Sequence, residues 1–315
     1  GFYYGFRTAA GAFVKLNEDG QATVITGLVD NGQGNDTMAA MVVAEELGLP
    51  LDDVKVVNAD TEICPPDPGS HSMTTTFVSG RACQLAARDA KGQLLEVVAQ
   101  KLECRPEDLV MRGKMIYVKG SPDRSLPIRN AVGLALLNRQ QILGRAHYAP
   151  QVDPLDWVEG KIEGQMTGAY TYGCVLAEVE VDPDSGEIKV VKLVGAADCG
   201  KAINPDALEG QIEGGVIFAL GQALAEKLVW EDGLLLNPSY LEYKITPIGK
   251  MPQIETIIVE SHDPQGPFGA KQAAEATHIA AVPAIANAVA NAIGARINSL
   301  PITPEKVLAA LKQRG

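Results

Sequence analysis

A single glutamate in a glycine-rich turn is the residue of this sequence best suited to proton transfer. Glu275 ends the glycine-rich segment 266–275 and precedes an alanine-rich apolar stretch that predicts a helix. A carboxylate beside an apolar wall is costly unless it is paired or used, and such surroundings raise the pKa of a carboxyl group, as a general base requires. Alternatively, an acid in the first turn of a helix only complements the helix dipole.

Two further segments carry groups suited to binding a polar ligand. Gly32, Gln33 and Gly34 lie between a predicted strand and a predicted helix, where backbone N–H groups can hold an anion such as phosphate. Residues 70–76 place six hydroxyl or imidazole groups in seven positions, which suits phosphate or carbonyl recognition. The alternatives are a tight turn that enters a helix and a polar loop that caps one. Thr37 stands where a dinucleotide fingerprint needs glycine, which excludes that motif.

The three segments occur in an order that resembles the C-terminal half of the molybdenum-binding subunit of the xanthine dehydrogenase and aldehyde oxidase family. A fourth motif, Gly-Gln-Ile-Glu-Gly at residues 210–214, lies between the second and the third. The resemblance covers nearly the whole chain, and four such motifs rarely occur together by chance. It implies a molybdopterin-binding site.

The resemblance also assigns roles to individual residues. Glu275 aligns with the family's catalytic glutamate, the base that takes a proton from the water-derived oxygen nucleophile. Phe2 and Tyr3 align with the segment that lines the substrate pocket, where an aromatic face stacks on a planar ring. The residues that align with the cofactor-binding motifs are Asn31, Gly32, Gln33, Ser72, Met73, Thr75, Gln211 and Lys271.

A set of cofactors and partners follows from the same resemblance. The expected cofactor is a molybdenum–molybdopterin cytosine dinucleotide with a terminal sulfido or selenido ligand, whose metal is held through the pterin dithiolene and not by protein side chains. This sequence lacks the family's Gly-Phe-Gly-Gly segment and its iron–sulfur and flavin motifs. We therefore expect a large molybdopterin subunit, an iron–sulfur subunit and an FAD subunit as partners. A molybdenum subunit divided in this way is most like that of nicotinate dehydrogenases, with this chain as the medium subunit.

The expected reaction is hydroxylation of an electron-poor carbon in a small N-heteroaromatic substrate with water-derived oxygen. Nicotinate is expected ahead of xanthine or another purine. The alternatives are an aldehyde- or carbon-monoxide-oxidising relative and, outside the enzymes, an inactive molybdopterin-binding module. Glu275 separates these classes, because a pure binding module needs no acid at that position.

The amino-acid composition and the net charge limit which kinds of partner and which environment the chain can have. The 315 residues carry a net charge of −12 and no run of five basic residues, which argues against binding to nucleic acid or to anionic membranes. Five irregularly spaced cysteines without a Cys-x-x-Cys pair argue against a disulfide framework or a zinc site and favour a reducing cytoplasm. Polar residues interrupt the apolar stretch 270–295, so we expect no transmembrane helix.

Local patterns predict the elements that position these motifs. Hairpins and helices alternate without regular strand–helix–strand units, which indicates the α+β class. We expect two mixed sheet-and-helix lobes of the molybdopterin-binding type, residues 1–152 and residues 153–315, the second with Glu275. The predicted elements are a hairpin within 9–29, a helix over 35–47, a strand over 54–58, a loop over 59–80, a helix over 82–102, a hairpin over 170–194, and helices that begin near residues 204, 275 and 303.

Overall fold

The computed structural model describes residues 8–153, 156–158 and 161–313, which divide into two compact units. The amino-terminal unit contains the described residues up to Tyr170 and also residues 261–272. The carboxy-terminal unit contains Thr171–Glu260 and the described residues from Ala273 onward. The residue ranges of the two units are not those of the two predicted lobes. The chain leaves the carboxy-terminal unit after Glu260 and re-enters it at Ala273.

The amino-terminal unit combines two sheets, a short hairpin and three helices in the described residues. Strands β3, β2, β1 and β7 form a mixed four-stranded sheet in that order, in which only β2 and β3 are parallel. Strands β4, β5 and β6 form an antiparallel sheet, and β8 pairs with β9. The elements are β1 (Ala10–Leu16), β2 (Ala22–Thr26), α1 (Asn35–Leu47), β3 (Val54–Val57), α2 (Thr74–Lys101), β4 (Leu109–Arg112), β5 (Met115–Val118), β6 (Ser121–Pro127), α3 (Ile128–Leu137), β7 (Leu143–Tyr148), β8 (Asp156–Val158) and β9 (Lys161–Glu163).

Helix α2 forms the core of this unit by packing on β1 and β7. Its buried residues Ala82, Ala86, Ala90 and Leu94 recur every four positions and so lie on one helical face. Gly144 of β7 allows the close approach, because a Cβ at that position would collide with the Ala86 carbonyl. The helix is thereby fixed directly on the sheet.

The carboxy-terminal unit has a three-stranded sheet with two long helices packed against it. Strand β10 pairs antiparallel with β11, which pairs parallel with β14. Helices α4 and α6 pack on each other and share an apolar cluster that includes Leu193, Val216, Leu220 and Ile285. The elements are β10 (Gly173–Val181), β11 (Ile188–Asp198), α4 (Pro205–Leu224), β12 (Trp230–Glu231), β13 (Leu234–Leu235), α5 (Tyr240–Tyr243), β14 (Gln253–Val259), α6 (Glu275–Ile293) and α7 (Pro304–Lys312).

The predicted α+β class and most predicted elements are confirmed. Both hairpins, α1, β3, α4, α6 and α7 lie where the patterns indicated. The Asn204 side chain caps α4 by accepting a hydrogen bond from the Ala207 amide at 3.2 Å. The predicted start of α2 near Gly80 is wrong, because the helix begins at Thr74. Burial of Thr74 and Phe77 stabilises a first turn that the low helix propensity of threonine disfavours.

The expectation that no segment could cross a bilayer does not hold for helix α6. By length and composition alone, this described helix is long and apolar enough to do so. Its residues Ala281, Ile285, Val289 and Ile293 are buried in the apolar clusters of the carboxy-terminal unit. Helix α6 thus packs one face against the apolar clusters of the carboxy-terminal unit.

Candidate functional site

Two loops of the amino-terminal unit, both predicted to contact a cofactor, lie side by side. The Ser70 hydroxyl donates to the Val29 carbonyl at 2.7 Å. The Asn35 side-chain amide donates to the same carbonyl at 2.9 Å and to the Ser70 oxygen at 3.3 Å. The structure thus brings together the turn that holds residues 31–33 and the loop that holds residues 72–75.

The carboxylate of Asp30 engages the backbone amides of the Gly-Gln-Gly turn. It accepts hydrogen bonds from the amides of Gly32 at 2.7 Å, Gly34 at 3.3 Å and Asp36 at 3.2 Å. Burial acts to raise the pKa of Asp30, but these amide hydrogen bonds together lower it below the ordinary value. The backbone of the motif is therefore the tight helix-entry turn that was the alternative to a phosphate cradle.

Asp30 was not predicted as a residue of this site, although a local signal for its role is present in the sequence. An aspartate shortly before a helix commonly accepts hydrogen bonds from the first free amides of that helix. Asp30 stands four residues before Gly34, which caps α1 with a left-handed backbone. The acid therefore stabilises the conformation in which Gln33 is presented.

Gln33 and Gly32 leave one side of the turn open. The Gln33 side chain is half-buried and folds onto its own turn, where its Oε1 accepts a hydrogen bond from the Asn31 amide at 2.6 Å. Gly32 has a φ of 108°, a left-handed value that favours glycine, and no atom lies within 4 Å of the position a Cβ would occupy. A ligand can therefore approach the backbone closely at Gly32.

The hydroxyl-rich loop has a strained backbone just before α2. Ser72 and Met73 have φ values of 49° and 61°, two consecutive left-handed residues that are not glycine. Such conformations cost on the order of 1–3 kcal/mol each and persist where the surrounding structure enforces them, often at functional sites. Here the Thr74 hydroxyl donates to the His71 carbonyl at 2.8 Å, and Thr75 is buried beside Ser70. The strain supports a ligand-binding role for this loop.

Lys271 and Gln272 hold the end of the amino-terminal unit. The Lys271 side chain, 8% exposed, donates to the Tyr170 carbonyl at 3.0 Å. The buried Gln272 side chain donates to the Ala169 carbonyl at 3.0 Å. A buried ammonium group needs such acceptors to offset its lost hydration. Lys271 therefore has a visible structural contact, and its assignment to the cofactor remains a prediction.

In the carboxy-terminal unit, helices α4 and α6 meet next to the predicted catalytic residue. A Cβ at Gly215 of α4 would lie 2.7 Å from the Thr277 hydroxyl oxygen and 2.9 Å from the Ala274 carbonyl oxygen. Half-buried Gln211 lies one turn before Gly215, and Glu275 is the first residue of α6. Gln211 and Glu275 are therefore carried by two helices in direct contact.

Glu275 is exposed, so the expectation that an apolar wall of this chain desolvates its carboxylate is wrong. The apolar side of α6 faces the core of the unit instead. Ala274, immediately before it, has a φ of 34°, and Thr277 donates to the Ala274 carbonyl at 2.9 Å. A strained residue next to an exposed acid fits a functional site. The first-turn position fits the dipole role equally well, so a mutation must separate the two roles.

The close contact at Gly215 predicts that a larger residue at this position destabilises the fold. We expect Gly215→Ala to lower the free energy of unfolding by about 1–3 kcal/mol, because the added methyl group overpacks the contact with Ala274 and Thr277. Gly214→Ala is the matched control, since nothing lies within 4 Å of a Cβ there and alanine has the better helix propensity. Chemical denaturation of both variants measures the effect. Equal stability of the two variants would contradict the helix contact.

Phe2 and Tyr3, predicted to line a substrate pocket, lie outside the described residues. Within residues 8–153, 156–158 and 161–313, no group of three His, Cys, Asp or Glu side chains is arranged to hold a metal ion. Burial raises the pKa of the Cys83 thiol to about 12, as for a core residue.

The chain is similar to known proteins in both sequence and structure. A family model described as a molybdopterin cofactor-binding domain matches residues 1–252. The putative xanthine dehydrogenase molybdenum-binding subunit of Escherichia coli is 31% identical over 302 residues, which cover 95% of this chain and 39% of the relative. Subunit gamma of the 6-hydroxypseudooxynicotine dehydrogenase complex of Paenarthrobacter nicotinovorans is 32% identical, over 94% of this chain and 37% of the relative.

A solved structure gives the same result for the fold. Quinoline 2-oxidoreductase from Pseudomonas putida 86 matches with a TM-score of 0.86 and 27% identity, over 98% of this chain and 39% of that chain. The chain thus spans about two-fifths of the length of the relatives it matches.

Proposed function

The chain belongs to the molybdopterin cofactor-binding domain family of the molybdenum hydroxylases, and we propose that it is the base-carrying part of a multi-subunit enzyme that hydroxylates a small N-heteroaromatic compound. One observation carries the proposal. The Gly-Gln-Gly turn and the strained hydroxyl-rich loop are joined through Ser70, Val29 and Asn35, and so present two cofactor-binding motifs together.

The residues of this joined site fit a pterin. A pterin presents a row of hydrogen-bond donors and acceptors along its ring edge, and amide and hydroxyl side chains can satisfy both kinds. The site offers the Gln33 amide, the Ser72 hydroxyl and an open approach to the backbone at Gly32. The buried Thr75 hydroxyl donates to Ser70 instead. Gln211, an amide side chain of the carboxy-terminal unit, stays a predicted pterin contact. When bound, the molybdenum cofactor would supply the two-electron redox chemistry that no side chain of this chain provides.

The chain's own part in the reaction is proton transfer. We assign the Glu275 carboxylate as the general base. One of its two carboxylate oxygens accepts the proton of the water-derived nucleophile. Its place at the first residue of α6 fixes the carboxylate at the end of a rigid helix, and the contact of α6 with α4 at Gly215 holds that end in position. A rigid scaffold keeps a proton acceptor within reach of the reacting group.

The substrate class rests on the matched proteins and on chemistry. Quinoline, the substrate in the name of one matched structure, is an N-heteroaromatic ring, and such rings have electron-poor carbons that accept an oxygen nucleophile. We propose nicotinate as the first substrate to test. A purine is the second candidate, because a matched relative is named as a xanthine dehydrogenase subunit. The cytosine dinucleotide form of the cofactor and iron–sulfur and FAD partner subunits complete the proposal.

Turnover of the purified complex tests the proposed reaction. We expect the complex to oxidise nicotinate and to insert one oxygen atom that comes from water. Mass spectrometry of the product formed in ¹⁸O-labelled water detects that oxygen atom. Xanthine and an aldehyde are the comparison substrates. A complex that contains molybdenum but oxidises only the aldehyde would overturn the N-heteroaromatic assignment and leave the family intact.

Cofactor content tests the binding residues. We expect Gln33→Ala and Gln211→Ala each to lower the molybdenum and pterin content of the purified complex, because each removes hydrogen bonds to a polar ligand at about 1–3 kcal/mol. That loss weakens binding roughly 5- to 150-fold. The controls are Thr37→Ala, an exposed residue of α1 just after the Gln33 turn, and Glu209→Ala, an exposed residue of α4 just before the 210–214 motif. Full occupancy in both glutamine variants after dialysis would show that the pterin assignment is wrong.

A further inference from the structure

One segment of the carboxy-terminal unit exposes an unusual amount of apolar surface. We call residues 228–248 the apolar segment. Nine of its 21 residues are large hydrophobic residues with exposed side chains, and only four of its residues are charged. The most exposed are Tyr240 at 77%, Leu241 at 88% and Ile248 at 91%. Single exposed apolar residues are normal, but nine within 21 residues are a concentration that often marks a binding surface.

The apolar segment is held in place by polar contacts at its base. The Asn237 side chain accepts a hydrogen bond from the Val229 amide at 2.9 Å and donates to the Lys227 carbonyl at 2.6 Å. The Tyr243 hydroxyl donates to the Glu226 carboxylate at 2.9 Å. These bonds fix the ends of the segment while the large apolar side chains stay outside the two described clusters of the unit's core.

The residue types of the apolar segment match the centre of a protein–protein interface. Interface centres are enriched in tryptophan and tyrosine, are more apolar than the rest of the surface and are poor in charged residues. Trp230 and Tyr240 supply the aromatic anchors, and Leu241 and Ile248 the aliphatic ones. An anionic membrane is a poorer fit, because the chain carries a net charge of −12.

We propose that the apolar segment is the docking surface for the polypeptide that supplies the rest of the molybdenum-binding subunit. The matched Escherichia coli subunit has 39% of its length covered by this chain, so about three-fifths of it lies outside the match. Obligate interfaces between permanently assembled polypeptides are large and more apolar than transient ones, which agrees with the exposed apolar residues of this segment. This inference rests on the proposed function for the identity of the partner.

Two charge substitutions at the apolar segment test the docking surface. Leu241→Asp and Ile248→Asp place a carboxylate where burial is proposed, and both side chains are so exposed that the chain alone should keep its melting temperature. We expect each to weaken assembly with the co-produced partner at least tenfold in Kd, measured by mass photometry. The control is Leu137→Asp, an 83% exposed leucine of the amino-terminal unit, which should change Kd less than twofold. Unchanged assembly of both variants, or equal weakening by the control, overturns the proposal.

A second measurement covers the case in which a variant folds poorly. Hydroxyl-radical labelling of the wild-type chain, alone and in the complex, should show strong protection of Trp230 and Tyr240 on assembly. Equal labelling in both states overturns the proposal. So does a wild-type chain that dimerises through these residues in the absence of partner, or that binds phosphatidylcholine–phosphatidylglycerol vesicles, since each result assigns the surface to another occupant.

Molybdenum content separates this inference from the proposed function. A complex that holds molybdenum but assembles normally with Leu241→Asp and Ile248→Asp refutes only the docking surface. A complex without molybdenum or pterin that those variants still disrupt refutes only the proposed function.

Discussion

We expect the complex that carries Glu275→Gln to keep its molybdenum and its subunits but to lose turnover. Glutamine has nearly the same shape as glutamate, so cofactor content and assembly should not change. Its amide cannot accept the proton, however, and loss of a general base typically lowers a rate by about 10²–10⁴-fold. We expect the upper end of that range, because this carboxylate would both activate the nucleophile and orient the ring. Steady-state rates normalised to bound molybdenum measure the effect.

If Glu275 only complements the dipole of α6, a different result is expected for Glu275→Gln. An exposed first-turn acid contributes about 0.3–1 kcal/mol to stability, and its neutralisation leaves the rate untouched. Glu305 offers a matched control, because it is an acid in the first turn of α7. Glu305→Gln should show the small stability loss without a change in turnover. A Glu275→Gln complex with activity within a few-fold of wild type would remove Glu275 from the mechanism.

The sequence predicts those elements best whose ends carry local capping signals. Helix α1 was predicted over residues 35–47 and is observed over the same residues, because Gly48 ends it with a left-handed φ of 62°. The start of α2 was missed because it depends on burial of Thr74 and Phe77, which is a property of the folded unit. Local propensity and tertiary burial disagree at that turn, and burial decides the outcome.

The arrangement of the site depends on contacts far apart in the chain. The motifs were recognised individually, but Ser70 and Val29, whose hydrogen bond joins two of them, are 41 residues apart. Gln265 was missed altogether. Its side chain donates to the Gly168 carbonyl and accepts from the Gln151 amide, 97 and 114 residues away. No local pattern marks such a residue, nor the return of residues 261–272 to the amino-terminal unit.

The chain produced alone will contain almost no molybdenum, and co-production with the partner polypeptide will restore a stoichiometric amount. The chain spans 39% of its Escherichia coli relative, so much of the cofactor cavity is expected on the partner. In the chain alone, Asn31 and Gly32 are exposed. A cofactor bound there would exchange water contacts for protein contacts at little net gain, since a hydrogen bond to a solvated group contributes only about 0.5–1.5 kcal/mol.

The partner polypeptide would exclude water from the hydrogen bonds between this chain and the cofactor. Once the site is closed, the polar groups at Gln33 and Ser72 no longer compete with solvent for the cofactor, and each 1.4 kcal/mol gained is about a tenfold increase in affinity. Several such contacts convert negligible occupancy into tight retention. Metal and pterin analysis of the chain purified with and without its partner, from the same host, measures the difference. Stoichiometric molybdenum in the chain alone would place the whole cofactor site on this polypeptide and refute the divided cavity.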